Sequence, residues 1–203
     1  MTVIALNLFS LGRLNEFNGP GVKFWVDGIS GVMFLNLLSR SFKYTKTAGP
    51  DLLRELVKAG TLNDFTVFGD APEKFVEYIN LNGAYIQNHY PVPDYRKFSL
   101  DEIKEISATV VISLPAPAQE ELAIKLQEKY KHTLKIYCFG GALHMIHDTN
   151  LEAGPFIRKI GLEWLWRLRS DTARRLRRLI TSIIALITVI PKIFSYNIQT
   201  EIE

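Results

Sequence analysis

The sequence is poor in cysteine, because Cys138 is the only one in 203 residues. A single cysteine excludes an internal disulfide framework and is typical of proteins that work in a reducing compartment. The N-terminus lacks the positively charged start and the small-residue cleavage site of a signal peptide. We therefore expect a cytoplasmic protein.

Long hydrophobic segments are missing as well. The main apolar run covers residues 179–190. A helix of that length would be about 18 Å long, whereas the hydrocarbon core of a bilayer is roughly 30 Å thick. We therefore expect no membrane-spanning helix.

Positive charge is scarce outside one block. Residues 158–178 contain eight Lys or Arg and two Asp or Glu, a local charge of +6, whereas the whole chain carries +3. A basic block followed by an apolar helix predicts an anionic partner, either phosphate or an anionic membrane surface. The rest of the chain is net negative, so no extended face for nucleic acid is indicated.

Short, continuously apolar runs alternate with helical patterns up to residue 150. This alternation predicts an α/β fold, with a Rossmann-like, mostly parallel sheet that carries helices on both faces. A capping box at Ser99 predicts the start of one helix. The expected strands are 3–8, 22–26, 66–68, 84–87, 109–114 and 134–138, and the expected helices are 49–59, 72–81, 99–107 and 118–130.

Beyond residue 150 the pattern is helical only. Apolar residues recur at helical spacing, and Arg167, Arg174 and Arg178 are spaced so that they share one face. We expect an α/β body at 1–156, a basic amphipathic appendage at 157–194 that associates with the membrane, and a flexible tail at 195–203. The apolar side of the appendage could instead close an interface in a homo-oligomer.

Glycine turns and polar residues follow the expected strands, where parallel sheets bind their ligands. They include Asp27-Gly28, Gly69, Gln119-Glu120 and Gly140-Gly141. A carboxylate at a strand end can act as a general base, but Asp27-Gly28 also fits a simple turn. Gln119 and Glu120 fit either a ligand pocket or the first turn of a helix.

Several motifs together resemble one family. Residues 161–168, which read Gly-Leu-Glu-Trp-Leu-Trp-Arg-Leu, resemble the C-terminal signature of the WecG/TagA/CpsF glycosyltransferases, also called glycosyltransferase family 26. Other motifs follow the family order over almost the whole chain: Val26-Asp27-Gly28, Ala48-Gly49-Pro50-Asp51-Leu52, Val67-Phe68-Gly69, Pro117-Ala118-Gln119-Glu120 and Phe139-Gly140-Gly141.

The resemblance implies a function. Members invert the anomeric centre, need no metal, and move an N-acetylmannosamine-type sugar or a related hexose from a UDP-sugar to a polyprenyl-diphosphate-linked acceptor. They act at the inner face of the plasma membrane, in the synthesis of exopolysaccharide, capsule, teichoic acid or common antigen.

The resemblance also implies site residues. Asp27 corresponds to the catalytic base. Substrate contacts are implied at Asn7, Gly28, Gly49, Asp51, Gly69, Gln119, Glu120, Gly140 and Gly141, and, in the appendage, at Arg167, Arg174 and Arg177.

A metal site has little support in the sequence. No Asp-x-Asp pair occurs, and His144 and His147 have the spacing of zinc ligands without an evident third ligand. We therefore expect no metal and no cofactor. Arginines can then neutralise the departing diphosphate, although the same arginines also fit a solvated helix face or contacts with anionic lipid.

The sequence departs from the family pattern at several places. Ala118 stands where the family has Lys, and residues 153–155 read Ala-Gly-Pro instead of Arg-Ala-Pro. An inactive homologue that binds a UDP-sugar or a partner at the membrane is therefore the alternative to a working transferase.

Overall fold

The computed structural model describes residues 1–6, 14–17, 19–27, 29–39, 43–146, 189–196 and 198–199, with single residues at 157, 180 and 184. The chain divides into two compact units. The first contains Met1–Ile4 and Gly49–Asp148, and the second contains Ala5–Ala48 and Thr149–Glu203.

The described chain contains both strands and α-helices. The strands are β1 (Thr2–Leu6), β2 (Val22–Val26), β3 (Asp64–Gly69), β4 (Tyr85–Tyr90), β5 (Thr109–Ser113), β6 (Lys135–Cys138) and β7 (Ile198–Gln199). The α-helices are α1 (Leu14–Phe17), α2 (Ile29–Leu38), α3 (Gly49–Lys58), α4 (Glu73–Leu81), α5 (Ala118–Lys129) and α6 (Ala142–Met145).

Parallel pairing organises the sheet of the first unit. In its described part, five strands lie in the order β4-β3-β5-β6-β1, and each neighbouring pair is parallel. The central strand β5 has Val110, Val111 and Ile112 fully buried, which explains its continuous run of β-branched residues. The predicted α/β fold with a parallel sheet is therefore confirmed.

The outer strand β4 differs from the central strands in its sequence and its exposure. Its residues Tyr85–Tyr90 alternate between exposed and half-buried positions, because an edge strand faces the core on one side only.

The helices bury one stripe each. In α5 that stripe is formed by Leu122, Ala123 and Leu126, at the spacing expected for an amphipathic helix.

The predicted helix at 99–107 is wrong in its length. The Ser99 capping box forms as expected, but only a 3-10 turn at Leu100–Glu102 follows. The next backbone N–H groups bond to one strand side chain instead: those of Lys104 and Glu105 donate to Tyr90 Oη, 3.1 Å away in both cases. Because the Tyr90 hydroxyl already accepts from these two N–H groups, they do not form the next hydrogen bonds of a helix.

The second unit contains β2, β7, α1 and α2. The boundaries of β2 agree with the prediction, and this strand pairs in parallel with β7, with Phe24 opposite Ile198. Ile198 and Gln199 lie in the expected flexible tail, yet they form a strand. The side chains of Val189 and Ile193 are fully buried, and Tyr196 donates a hydrogen bond to Asn15.

The expected appendage at 157–194 lies mostly outside the described residues. Within the described ranges, no helix combines the length and the hydropathy that crossing a bilayer requires.

Candidate functional site

The carboxyl ends of β3, β5 and β6 meet at one edge of the first unit. Gly69 lies opposite Ser113, and Ile112 lies opposite Cys138. Parallel strands bring the segments that follow them to the same edge. The glycine turns that the sequence placed after β3 and β6 are therefore neighbours of the end of β5.

Gly69 is required by the packing of β3 on β5. Its φ is +99°, and a β-carbon there would lie 2.4 Å from the carbonyl oxygen of Ser113. On the same edge, His89 Nε2 is 2.8 Å from the carbonyl oxygen of Gly69. The close approach of the Ser113 backbone is therefore enough to explain why position 69 is a glycine, without invoking a ligand.

Gly140 brings the turn after β6 close to the start of α5. Its φ is +53°, and a β-carbon on it would lie 3.5 Å from Gln119 Oε1. Ser113 Oγ donates a hydrogen bond of 3.1 Å to the carbonyl oxygen of Gly140. The turn is therefore fastened to β5 and lies against the Gln119 amide.

Gln119 has an unsatisfied acceptor. The residue is only 7% exposed, and its Nε2 donates to Glu120 Oε1 at 2.8 Å. Its Oε1 is buried and accepts no hydrogen bond from the part of the chain that the structure describes. Leaving such an atom unpaired costs about 1–3 kcal/mol, so a ligand N–H or O–H reaching Oε1 would recover that energy.

Glu120 and Cys138 share the buried space beside this amide. Burial raises the pKa of the Cys138 thiol well above its ordinary value, and the nearby charge of Glu120 raises it further. The thiol lies 3.8 Å from the carbonyl oxygen of Gln119, to which it donates. Cys138 is therefore a protonated core residue and not a nucleophile.

Gly49 and Asp51, both expected at the substrate, join α3 to α6. A β-carbon on Gly49 would lie 3.2 Å from that of Ala142. Asp51 Oδ1 pairs with Arg54 Nη1 at 2.8 Å, and Arg54 Nη2 donates to the carbonyl oxygen of Ile146 at 3.1 Å. These contacts give both positions a packing role.

A contact between two polar side chains that the sequence analysis did not anticipate crosses the same edge. Asp70 follows Gly69, and its Oδ2 lies 3.0 Å from His144 Nε2 on α6. His147, the other half of the suggested zinc pair, lies outside the described residues. Gly141 precedes α6, and no described atom lies within 4 Å of where its β-carbon would be.

Asp27 belongs to the second unit. It directly follows β2 and is half-buried. The backbone N–H of Thr47 donates to the carbonyl oxygen of Val26 at 3.1 Å, so the segment 43–48 is tied to the end of β2. The remaining expected site residues lie outside the described residues: Asn7, Gly28, Arg167, Arg174 and Arg177.

The structure brings the predicted residues Gln119 and Gly140 together at this edge, where the sequence analysis did not name three further polar groups. Ser113 ends a buried apolar strand, and Asp70 follows a strand-end glycine, so both carried a positional signal. Arg54 carried none, because its carbonyl partner on Ile146 is 92 residues away in the sequence.

Comparison with protein families gives a match over most of the chain. The model of the glycosyl transferase WecG/TagA/CpsF family matches residues 24–199. The matched range contains Asp27, Gln119 and the basic block at 158–178, and it begins after Asn7.

Proposed function

The chain belongs to the WecG/TagA/CpsF glycosyltransferase family, and from this premise we propose that it transfers a sugar from a UDP-sugar to a polyprenyl-diphosphate-linked acceptor. The family gives the coarser statement, a glycosyltransferase of cell-surface polysaccharide synthesis. An N-acetylmannosamine-type sugar or a related hexose as donor, and exopolysaccharide, capsule, teichoic acid or common antigen as product, belong to the proposal.

The observation that carries the proposal is the Gln119 amide. Its buried Oε1 lacks a partner within the described ranges and lies beside the Gly140 turn. An acceptor at this point suits the N–H of a uracil or the hydroxyl of a ribose. The start of α5 adds backbone N–H groups and a positive dipole end that favour a diphosphate.

We assign the base to Asp27. In the proposed step the acceptor hydroxyl oxygen attacks the anomeric carbon, the bond from that carbon to the diphosphate oxygen breaks, and Asp27 takes the hydroxyl proton. UDP leaves as the anion, and attack opposite the leaving group inverts the anomeric centre. A carboxylate on the end of a strand is held firmly enough for this role.

Neutralising the diphosphate is the second chemical requirement. We propose that Arg167, Arg174 and Arg177 do this without a metal, because the guanidinium group presents a planar fork to phosphate oxygens. The remaining basic residues would face anionic lipid at the inner face of the plasma membrane. A homo-oligomer is compatible with the same scheme.

A donor screen tests the proposal. Purified full-length protein is mixed with candidate UDP-sugars and a polyprenyl-diphosphate-linked acceptor, and both UDP release and the glycosylated lipid are measured. We expect acceptor-dependent UDP release with one donor class. UDP binding without any transfer would instead support the inactive, membrane-associated homologue.

A further inference from the structure

Helix α2 (Ile29–Leu38) carries an apolar face toward solvent. Its sequence contains no Asp, Glu, Lys or Arg. Met33 is 65% exposed and Leu37 is 83% exposed. These two residues are four apart, so they lie on one side of the helix, one turn above the other.

The buried side of α2 lies opposite that face. Leu35 is fully buried and Gly31 is buried, and both are about half a turn away from Met33. Val32, Phe34 and Leu38 on the flanks are half-buried. A surface helix normally carries charged residues on its outer side, and α2 carries apolar ones instead.

A clamp of two hydrogen bonds joins α2 to Tyr44, the residue after Lys43. Asn36 Nδ2 donates to the carbonyl oxygen of Tyr44 at 3.0 Å, and the Tyr44 N–H donates to Asn36 Oδ1 at 2.7 Å. The clamp holds the backbone of Tyr44 against α2 at Asn36. Lys43 directly precedes the clamped residue Tyr44, and its side chain is exposed.

We propose that the outer face of α2 inserts into the headgroup region of an anionic lipid surface, with Lys43 on the phosphates. A short uncharged helix flanked by lysine suits shallow insertion in the plane of the interface. The helix begins two residues after Asp27, so insertion would hold the proposed base near the depth of a lipid-linked pyrophosphate. The inference rests on the proposed lipid-linked acceptor.

A second copy of the chain fits this face less well. Two exposed side chains on a ten-residue helix form a narrow strip, whereas a stable protein interface buries about 1,000 Å² or more. The exposed lysine next to Tyr44 also favours an anionic surface over an identical copy, which would bring two like charges together.

Vesicle binding by the full-length protein tests the proposal. The probe is unilamellar vesicles of phosphatidylcholine with phosphatidylglycerol, and partition is measured by sedimentation. We expect Leu37→Glu to lower the partition coefficient at least about tenfold. The variant loses the favourable free energy of burying the leucine side chain, and it adds a negative charge that the anionic lipid repels. The matched control is Leu81→Glu on α4, where the leucine is 86% exposed, and it should bind as the wild type does.

A fluorescent probe gives a second readout. Cys138 is fully buried, so a dye attaches to a cysteine introduced by Leu37→Cys or, as control, by Leu81→Cys. We expect a blue shift with vesicles for the dye at position 37 and none at position 81. Equal responses at both positions would overturn the proposal.

Other occupants of the face give different outcomes. If Leu37→Glu leaves vesicle partition unchanged but dissociates an oligomer in light scattering, the face binds a second copy and the proposal is wrong. If the Leu37→Glu protein partitions as the wild type does but unfolds far more easily than the Leu81→Glu protein, the chain itself covers the face. That result also overturns the proposal.

Failure of the proposed function can be separated from failure of this inference. Vesicle partition is measured without donor or acceptor, so it stands even if no sugar is transferred. Where transfer occurs, we expect Leu37→Glu to lose more activity on an acceptor in vesicles than on a short-chain acceptor in detergent. An equal loss on both acceptors would count against membrane docking.

Discussion

A β-carbon on Gly69 would lie 2.4 Å from the carbonyl oxygen of Ser113, across the ends of β3 and β5. That oxygen belongs to the backbone of the central strand, so it cannot move aside as a flexible side chain would. Gly69 also has a φ of +99°, which disfavours any L-residue with a side chain. The edge that carries the candidate donor site therefore depends on this glycine.

Gly69→Ala should lower the free energy of unfolding by about 2–4 kcal/mol, because steric overlap adds to the cost of the positive φ. Urea unfolding measures the change. The control is Gly83→Ala: Gly83 has a φ of +76°, and no described atom lies within 4 Å of its β-carbon position. That variant should lose only about 1 kcal/mol. Equal losses would show that the contact with Ser113 does not matter.

Gln119→Ala should weaken UDP binding about tenfold, because the hydrogen bond that its buried Oε1 would accept from UDP is lost. Calorimetric titration with UDP measures the affinity. Gln127 is the matched control, since it is buried on the same helix and its Oε1 likewise lacks a described partner. Its Nε2 donates to Thr2 Oγ1 and to the carbonyl oxygen of Leu134, both at 2.9 Å, so it lies at the amino ends of β1 and β6, away from the Gly140 turn. Gln127→Ala should lower stability and leave UDP affinity as it was. A Gln119→Ala variant with wild-type affinity would remove this residue from the donor site.

Asp27→Asn should lower kcat by about 10²–10⁴-fold, because the amide cannot accept the acceptor proton. The affinity for UDP should be unaffected, since the proposed role concerns the acceptor hydroxyl. Initial transfer rates at saturating donor measure kcat. Asp64→Asn is the control, because Asp64 is an exposed carboxylate at the start of β3. Full activity in Asp27→Asn would eliminate Asp27 as the base.

Cys138 should make the protein less stable at alkaline pH. Burial, with a smaller contribution from the charge of Glu120, raises the thiol pKa in the folded state above its ordinary value of 9.0. Above that pH the unfolded chain loses the thiol proton while the folded chain keeps it. The unfolded state then binds fewer protons, so stability falls as pH rises, by up to about 1.4 kcal/mol per pH unit.

Urea unfolding from pH 8 to pH 10.5 compares the wild type with Cys138→Ala. The variant has a constant offset from the lost side chain, but it should show the shallower decline above pH 9. Parallel curves for the two proteins would mean that the thiol ionises equally in both states.

The sequence predicted the central strands better than the rest of the fold. Strands β2, β5 and β6 are mainly apolar because the strands of a covered parallel sheet are buried on both faces; only Lys23 and Lys135 interrupt β2 and β6. Their predicted limits agree closely with the structure. It predicted no element at 29–38, because α2 is apolar on nearly all sides and lacks the polar positions that reveal a helical period.

Pairing between distant residues could not be read from local patterns. Ile198 and Gln199 form a strand only because β2 offers a parallel partner. In the same way, the capping box at Ser99 started a helix that the hydroxyl of Tyr90 prevented from continuing. In both cases the deciding hydrogen bond joins residues that are far apart in the sequence.

The sequence by itself determined the α/β class, the glycine turns at strand ends, the basic block and, through its ordered motifs, the family. These follow from composition, period and spacing, which are local properties of the chain. Only the tertiary structure decided which turns share an edge, that Gln119 Oε1 is buried beside Gly140 without a described partner, and that Met33 and Leu37 face outward. Burial and hydrogen-bond satisfaction depend on which distant groups pack together. That is decided when the strands pair and the helices pack on the sheet.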